Sequence, residues 1–201
     1  MVPATAKGEA TRAFLLHTAA RVFAERGYTG AALTDLITAG GLTKGAFYFY
    51  FPSKSALALA VLADQQDRWL HRVRDRVLSA DTALAQFRAL TPSMLDLLTT
   101  DPGAWSIPRL TRDMATDPAT AEQARTPITT WINLTTDIVT RGQTDGDLRP
   151  DLNPHHTAVA LIGALDGLKT LTDTLNPTQG SDTFRQQAQT LLAMIEHGLV
   201  T

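Results

Sequence analysis

Apolar residues recur at helical spacing along almost the whole chain, and alternation of apolar and polar residues is nowhere sustained beyond a few positions. In the first such segment Leu15, Ala19 and Phe23 lie on one apolar stripe, and Gly27 follows as a helix-ending residue. The pattern predicts an all-α fold of about nine helices, over residues 9–26, 34–39, 43–50, 53–79, 81–99, 105–115, 118–143, 154–175 and 181–199.

The second and third predicted helices are short and are joined by a turn that contains Gly40 and Gly41. Thr34 and Thr43 are predicted to cap them. Two short helices around a glycine-bearing turn fit a helix-turn-helix, whose second helix enters the major groove of DNA. We therefore predict a three-helix DNA-binding domain over residues 1–52 and a helical body over residues 53–201, with the helix at 53–79 linking the two.

Charge divides along the same boundary. Residues 1–55 hold six Lys/Arg against three Asp/Glu, whereas residues 56–201 hold 12 against 17, although the net charge of the whole chain is only −2. A basic head on an acidic body indicates nucleic acid or a membrane surface as the partner of the head.

Several other classes of protein are excluded by what the sequence lacks. There are no Cys residues, so disulfides and thiolate metal sites are ruled out, and a reducing cytoplasm is expected. The first five residues have no signal-peptide pattern, and no run of about 18 apolar residues could span a bilayer. No Gly-x-Ser-x-Gly, Walker loop, Gly-x-Gly-x-x-Gly or His-Glu-x-x-His motif occurs. We therefore expect no enzyme activity and no cofactor. We also expect no metal site, since the neighbouring His155 and His156 point about 100° apart on a helix.

The candidate DNA contacts cluster around the predicted third helix. Lys44 can reach a guanine edge or a phosphate, and hydroxyl and ammonium groups nearby can hold phosphates. Phe47, Phe49 and Phe51 are expected to pack into the core or support the helix. The alternative for the two threonines is helix capping alone, and for Lys44 it is an ordinary solvated lysine. The predicted DNA-binding residues are Thr34, Thr43, Lys44, Gly45, Ala46, Tyr48, Tyr50 and Lys54.

Residues 15–57, and above all the 25 positions from Leu33 to Leu57, resemble the DNA-binding domain of TetR-family transcriptional regulators. Two positions depart from the family pattern, since Gly40 stands where Ala is usual and Tyr50 where His is frequent. The resemblance implies a repressor that binds a palindromic double-stranded DNA operator as a homodimer. It also implies that the helices at about 154–175 and 181–199 pair with their symmetry mates in a four-helix bundle.

The middle helices interleave bulky apolar residues with a few polar ones, as a small-molecule site requires, although an ordinary core gives the same pattern. The segments 49–65, 108–113 and 142–150 are also similar to the γ-butyrolactone receptor branch found in antibiotic-producing bacteria. In that branch, residues at the positions of Gln65 and Trp131 line the autoregulator pocket. The predicted effector-binding residues are Gln65, Trp69, Phe87, Met94, Trp105, Leu110, Trp131 and Thr135.

Three functions therefore stand at the level of sequence. The first is a cytoplasmic, nucleoid-associated repressor released from DNA by a small, largely apolar effector such as a γ-butyrolactone or butenolide. The second is a TetR-like regulator of efflux or catabolism genes with an unrelated hydrophobic effector. The third is a ligand-binding or protein-binding module that does not regulate transcription.

Overall fold

The computed structural model describes residues 5–175 and 180–200. Within these ranges the chain forms nine α-helices and one short 3₁₀ helix and has no strand, which confirms the all-α prediction. The segment Met1–Ala4, on which the signal-peptide argument mostly rests, lies outside the described residues. The α-helices are α1 Ala6–Gly30, α2 Leu33–Ala39, α3 Lys44–Tyr50, α4 Lys54–Arg76, α5 Ala83–Thr100, α6 Ser106–Met114, α7 Ala121–Thr144, α8 Pro154–Leu175 and α9 Gly180–Leu199.

Hydroxyl side chains cap several helix starts by accepting a hydrogen bond from a backbone amide in the first turn. Thr43 accepts from the amide of Ala46 at 3.2 Å, and Ser53 accepts from that of Ala56 at 3.0 Å, as predicted. The prediction for Thr34 is wrong. Helix α2 begins at Leu33 after Ala32, which has no capping side chain, so Thr34 lies inside the first turn with its side chain exposed.

The other differences from the predicted bounds lie at helix ends. Helix α4 ends at Arg76, before the predicted residue 79, and α7 begins at Ala121 and not at residue 118. The predicted helix at 105–115 is preceded by the 3₁₀ helix Pro102–Trp105, which the side chain of Asp101 caps by accepting from the amide of Gly103 at 2.8 Å. Sequence periodicity does not distinguish one tight turn from the start of an α-helix, so this element was missed.

The chain divides into two compact units. The first contains residues up to 68 together with 101–128, and the second contains residues 69–100 and those from 129 onward. In the first unit α6 packs along α1, and both contribute to one buried core with α2, α3 and α4. Its largest fully buried side chains are Phe23, Phe47, Leu62, Leu110 and Met114. Helix α6 thus lies with the helix-turn-helix, which spacing in the sequence did not indicate, and a functional boundary near residue 52 stays a prediction.

The second unit is built mainly from α5, α8 and α9, and α9 packs against both of the others. Leu161 and Leu165 of α8 face inward, as their spacing predicted, and Phe184 and Ala188 of α9 are fully buried. The opposite side of α8 is apolar but exposed. There Val159 and Leu171 are 44% and 54% exposed.

Gly27 breaks the regular path of α1. Its backbone has φ 69° and ψ −179°, a region that residues with a side chain almost never occupy. The residue is also buried, and a Cβ atom added to it would lie 2.8 Å from Oδ2 of Asp113 on α6. Gly27 was predicted to end the first helix, but it lies at a kink three residues before the end of α1. Its backbone conformation and the close approach of α6 both require a glycine there.

Replacing Gly27 with Ala is expected to lower the free energy of unfolding by about 1–3 kcal/mol, because the new methyl group brings backbone strain and a contact with Asp113. Chemical denaturation followed by circular dichroism measures the change. Gly30→Ala is the matched control, since a Cβ there meets only Arg26 Cβ at 3.7 Å. That variant should be neutral or slightly more stable, and equal stability of the two variants would contradict the role of Gly27.

Candidate nucleic-acid interface and ligand site

The exposed face of α3 carries the candidate DNA contacts. Lys44, Gly45, Tyr48 and Phe49 are all exposed, and their positions i, i+1, i+4 and i+5 fall on one side of a helix. A Cβ added to Gly45 would meet nothing within 4 Å, so the backbone here is open to a groove. We call Lys44, Gly45, Tyr48 and Phe49 the reading face. It combines one cation, one hydroxyl and one hydrocarbon side chain, and each of these can contact DNA.

Buried aromatic rings hold the reading face from below. Phe47 and Phe51 are 1% and 3% exposed, and their ring centroids are 6.2 Å apart. Phe47 also meets the ring of Tyr48 edge-on at 5.5 Å. Because Phe47 cannot move without opening the core, the first turns of α3 are rigidly placed.

Phe49 differs from the two buried phenylalanines. Its ring is 62% exposed and meets Tyr50 edge-on at 5.1 Å, so of the two roles expected for these phenylalanines Phe49 does not have the core one. Its position five residues after Lys44 places it at the side of the reading face, and this spacing could have identified it. An exposed ring beside Tyr48 adds a hydrocarbon surface that suits the methyl group of thymine.

The remaining predicted DNA contacts occupy different environments. Thr34 and Thr43 are exposed, the latter while capping α3, whereas Ala46 and Tyr50 are half-buried. The ammonium group of Lys54 already has partners within the protein. Its Nζ donates to the carbonyl of Ala31 at 2.7 Å and lies 4.3 Å from the centre of the Tyr28 ring. Its role as a phosphate contact stays a prediction.

Burial is the main influence on the ammonium group of Lys54 and lowers its pKa from the ordinary value. The carboxylate of Asp113 acts in the opposite direction and favours the charged form. The cation therefore contacts a carbonyl and an aromatic face and is attracted by the charge of Asp113, and all three groups belong to the first unit. Sequence spacing gave no signal of this arrangement, because Ala31 and Asp113 are far from Lys54 along the chain.

In the second unit the structure brings two of the predicted ligand residues together. The rings of Trp69 and Trp131 have centroids 5.3 Å apart and planes inclined by 54°. Both indole nitrogens are buried, and neither has a hydrogen-bond partner in the described part of the chain. Indole is only a donor, and buried donors are nearly always paired, so each of these N–H groups could donate to a bound acceptor.

The other candidates of the second unit are buried, and their polar groups are satisfied. Phe87 and Met94 are 4% and 3% exposed. The hydroxyl of Thr135 is fully buried and donates to the carbonyl of Trp131 at 3.0 Å, one turn earlier in α7. Thr135 therefore supports the position of Trp131 and has its hydrogen already used.

The first unit holds the remaining candidates. Gln65 is 1% exposed, and neither its amide oxygen nor its amide nitrogen has a partner among the described residues. The hydroxyl of Ser106 is likewise buried and unpaired, which the sequence did not indicate. Trp105 is half-buried at the end of the 3₁₀ helix, and Leu110 belongs to the core shared with the helix-turn-helix. Leu110 is thus placed among packed side chains, and its contact with an effector stays a prediction.

Among the described residues there is neither a metal-binding cluster nor a single membrane-spanning helix. No group of three or more His, Asp or Glu side chains is arranged to hold a metal ion, and the rings of His155 and His156 are 6.3 Å apart. No single helix is long and apolar enough to cross a membrane. The pair α3 and α4, bent by 53°, meets that test only jointly, and its apolar residues include Phe47, Leu57 and Leu62 of the core.

The short helix α3 follows α2 across a glycine turn and exposes Lys44 and Tyr48. Buried aromatic rings fix its other side. This is a helix-turn-helix DNA-binding protein. Residues 15–61 match the family described as bacterial regulatory proteins, tetR family. This match, the relatives and a solved structure support a TetR-family transcriptional regulator, and residues 15–61 are the part of the chain that the family description covers.

The chain is 27% identical over 130 residues to the transcriptional activator FasR of Mycolicibacterium smegmatis, which covers 65% of this chain and 59% of FasR. It is 41% identical over 51 residues to the A-factor receptor protein of Streptomyces griseus, which covers 25% of this chain and 18% of the receptor. The chain thus spans less than two thirds of these relatives. A solved structure described as the molecular basis for control of antibiotic production by bacterial hormones is 27% identical. It has a TM-score of 0.76, with 98% of this chain and 100% of that chain covered.

Lys44→Ala is expected to weaken binding to a specific operator by about tenfold to a hundredfold, because a good base or phosphate contact is lost from the reading face. The thermal unfolding curve should be unchanged, since Lys44 is exposed. Fluorescence anisotropy with an operator selected from random duplexes measures the affinity. Arg74→Ala removes the same charge from an exposed position on α4 and is the control. Equal affinity of the two variants would remove Lys44 from the interface.

Proposed function

We propose that the chain is a ligand-responsive repressor that binds a palindromic operator as a homodimer and is released by a small, largely apolar effector. The reading face supports the DNA-binding part of this proposal. The match to the A-factor receptor protein covers only 25% of this chain and 18% of the receptor, so it gives the effector class little support. We further propose that the protein acts in the cytoplasm, on the nucleoid.

The paired indoles of Trp69 and Trp131 are the observation that carries the effector part. Two buried donors without a partner cost free energy, on the order of 1–3 kcal/mol each, and an acceptor from a ligand would recover it. Phe87 and Met94, which belong to the same unit, are buried and apolar. A matching ligand is therefore a hydrocarbon with one or two acceptor oxygens, such as the carbonyl and ring oxygens of a γ-butyrolactone or butenolide.

Release from DNA requires that the effector bind more tightly to the form of the protein that does not bind the operator. Binding of the effector then lowers the affinity for the operator, and binding of the operator lowers the affinity for the effector by the same factor. Operator affinity measured with and without the effector tests the sign of regulation, because an effector that strengthens operator binding would make the protein a ligand-dependent DNA binder. FasR, one of the relatives, is described as an activator.

The exposed apolar side of α8 and α9 supports the dimer. Val159, Gly163, Gly167, Leu171 and Leu175 follow one another at intervals of four along α8. A Cβ added to either glycine would meet nothing within 4 Å, so a second helix could approach the backbone closely. On α9, Met194 is 69% exposed. A second copy of the chain that covers these side chains would bury apolar area that is otherwise in water.

Trp131→Phe is expected to leave operator affinity unchanged within about twofold and to raise the concentration of a 2-acyl-γ-butyrolactone that gives half release by about five- to tenfold. The variant keeps an aromatic ring but lacks the N–H group. Trp69→Phe should act in the same direction. Mobility shift of the selected operator measures both quantities, and Thr136→Val is the control because its hydroxyl already bonds the carbonyl of Ile132 at 2.8 Å.

Full sensitivity to the butyrolactone in both tryptophan variants would place the effector elsewhere. Release of the wild type by an unrelated apolar ligand, with no response to lactones, would favour a regulator of efflux or catabolism genes. Selection that yields no specific operator would favour a binding module without a role in transcription.

Leu171→Glu is expected to convert a dimer into a monomer, because a carboxylate would be buried in the apolar contact between two copies of α8. Light scattering coupled to size exclusion measures the mass. Operator affinity should fall by at least tenfold in parallel, since two half-sites are no longer linked. Thr140→Glu, at an exposed position of α7, should remain dimeric. A dimeric Leu171→Glu protein would exclude this face as the interface.

A further inference from the structure

The segment from Glu25 to Ala31, which forms the kinked end of α1 and leads into α2, is held by side chains from two other helices. Asp113 of α6 accepts hydrogen bonds at Oδ2 from the amides of Tyr28, at 2.6 Å, and Thr29, at 3.3 Å. These residues are 85 and 84 positions apart from Asp113 in the sequence. A carboxylate that accepts from backbone amides makes a charge-assisted bond, which is stronger than a bond between neutral groups.

A second side chain of α6 binds the same segment on the other side of Gly27. Arg109, one helical turn before Asp113, donates from Nη1 to the carbonyl of Glu25 at 3.0 Å. An acceptor and a donor on one face of α6 thus hold the chain immediately before and after the break at Gly27. The glycine permits this approach, because any side chain there would collide with the Asp113 carboxylate.

Lys54, the first residue of α4, completes the arrangement by donating to the carbonyl of Ala31 and covering the ring of Tyr28. Its charge is attracted by Asp113, which links the two side chains electrostatically. We call Arg109, Asp113 and Lys54 the clasp. It fixes the backbone that leads directly into α2, and Phe47 and Phe51 connect α2 and α3 through the shared core.

We propose that Asp113 is a positioning residue for operator recognition: by holding the segment after Gly27, it sets the direction in which α2 and α3 leave α1 and therefore the half-site spacing that the dimer accepts. The inference rests on the proposed function, because spacing has meaning only for a dimer on two half-sites. It assigns no DNA contact to Asp113. Its carboxylate would repel phosphates, and its effect passes through the backbone of Tyr28 and Thr29.

The experiment uses the full-length protein and operators selected by the wild type from random duplexes. Affinity is measured for the selected operator and for versions with one base pair added or removed between the half-sites, and the ratio of the dissociation constants gives the spacing discrimination. Hydrogen exchange of the Tyr28 and Thr29 amides reports the clasp directly. A residue that only stabilises the fold would lower affinity for every spacing equally and leave the ratio unchanged.

Asp113→Ala is expected to accelerate exchange of these two amides by about tenfold or more and to reduce the spacing discrimination by at least threefold. Asp113→Asn should give a smaller change in both, because its amide oxygen still accepts a hydrogen bond but lacks the charge. Asp64→Asn removes a carboxylate whose partner is the exposed side chain of Arg68, at 2.9 Å on the same helix, and should behave as wild type.

An unchanged ratio in a folded Asp113→Ala protein overturns the positioning role, even if exchange is faster. If that variant does not fold, Asp113→Asn and Arg109→Gln decide by the same ratio, since each removes only part of the clasp. A wild type that selects no operator with two half-sites overturns the proposed function together with this inference. If the wild type selects an operator with two half-sites but the variants show the same spacing discrimination as the wild type, the inference alone is overturned.

Discussion

The carboxylate of Asp113 accepts hydrogen bonds from the amides of Tyr28 and Thr29 just after the kink that Gly27 makes near the end of α1. This contact depends on a residue without a side chain, because Oδ2 occupies the place that a Cβ atom would need. It ties a helix from the middle of the sequence to the start of the helix-turn-helix. As a result the first compact unit contains α6 as well as the first three helices, and one core serves both.

The reading face is possible because that core is rigid. Phe47 and Phe51 are buried on one side of α3, so Lys44, Tyr48 and Phe49 must lie on the other. A seven-residue helix has little stability of its own and keeps its shape only through such packing. The exposure of Phe49 is a cost to the isolated protein, and contact with DNA would offset it.

Unlike the packing beneath the reading face, the unpaired donors of Trp69 and Trp131 do not stabilise the fold. They lower the stability of the second unit, since buried N–H groups without acceptors are unfavourable, and stability alone gives no reason for them. Gln65 and Ser106 have the same property in the first unit. Polar groups left unsatisfied inside an otherwise apolar interior are typical of sites where binding supplies the missing partner.

The fold class, most helix positions and part of the candidate DNA-binding site could be predicted from residues that are close together in the sequence. Helical spacing gave the all-α class and most helix positions, because the period of apolar residues is a local property of the chain. The hydroxyls of Thr43 and Ser53 gave two helix starts for the same reason, whereas Thr34 failed, since Ala32 and not Thr34 precedes the first residue of α2. Lys44, Tyr48 and the TetR-family resemblance also came from contiguous residues.

Only the tertiary structure decided the rest. Which side of α3 faces the core determined that Phe49 is exposed while Phe47 is not. The partners of Lys54, the pairing of Trp69 with Trp131 and the hydrogen bonds of Arg109 and Asp113 to the Gly27 segment were all missed. These contacts join residues between 23 and 85 positions apart along the chain. Such contacts follow from how whole helices pack, and the one-dimensional pattern that predicts each helix carries no information about which helix lies beside it.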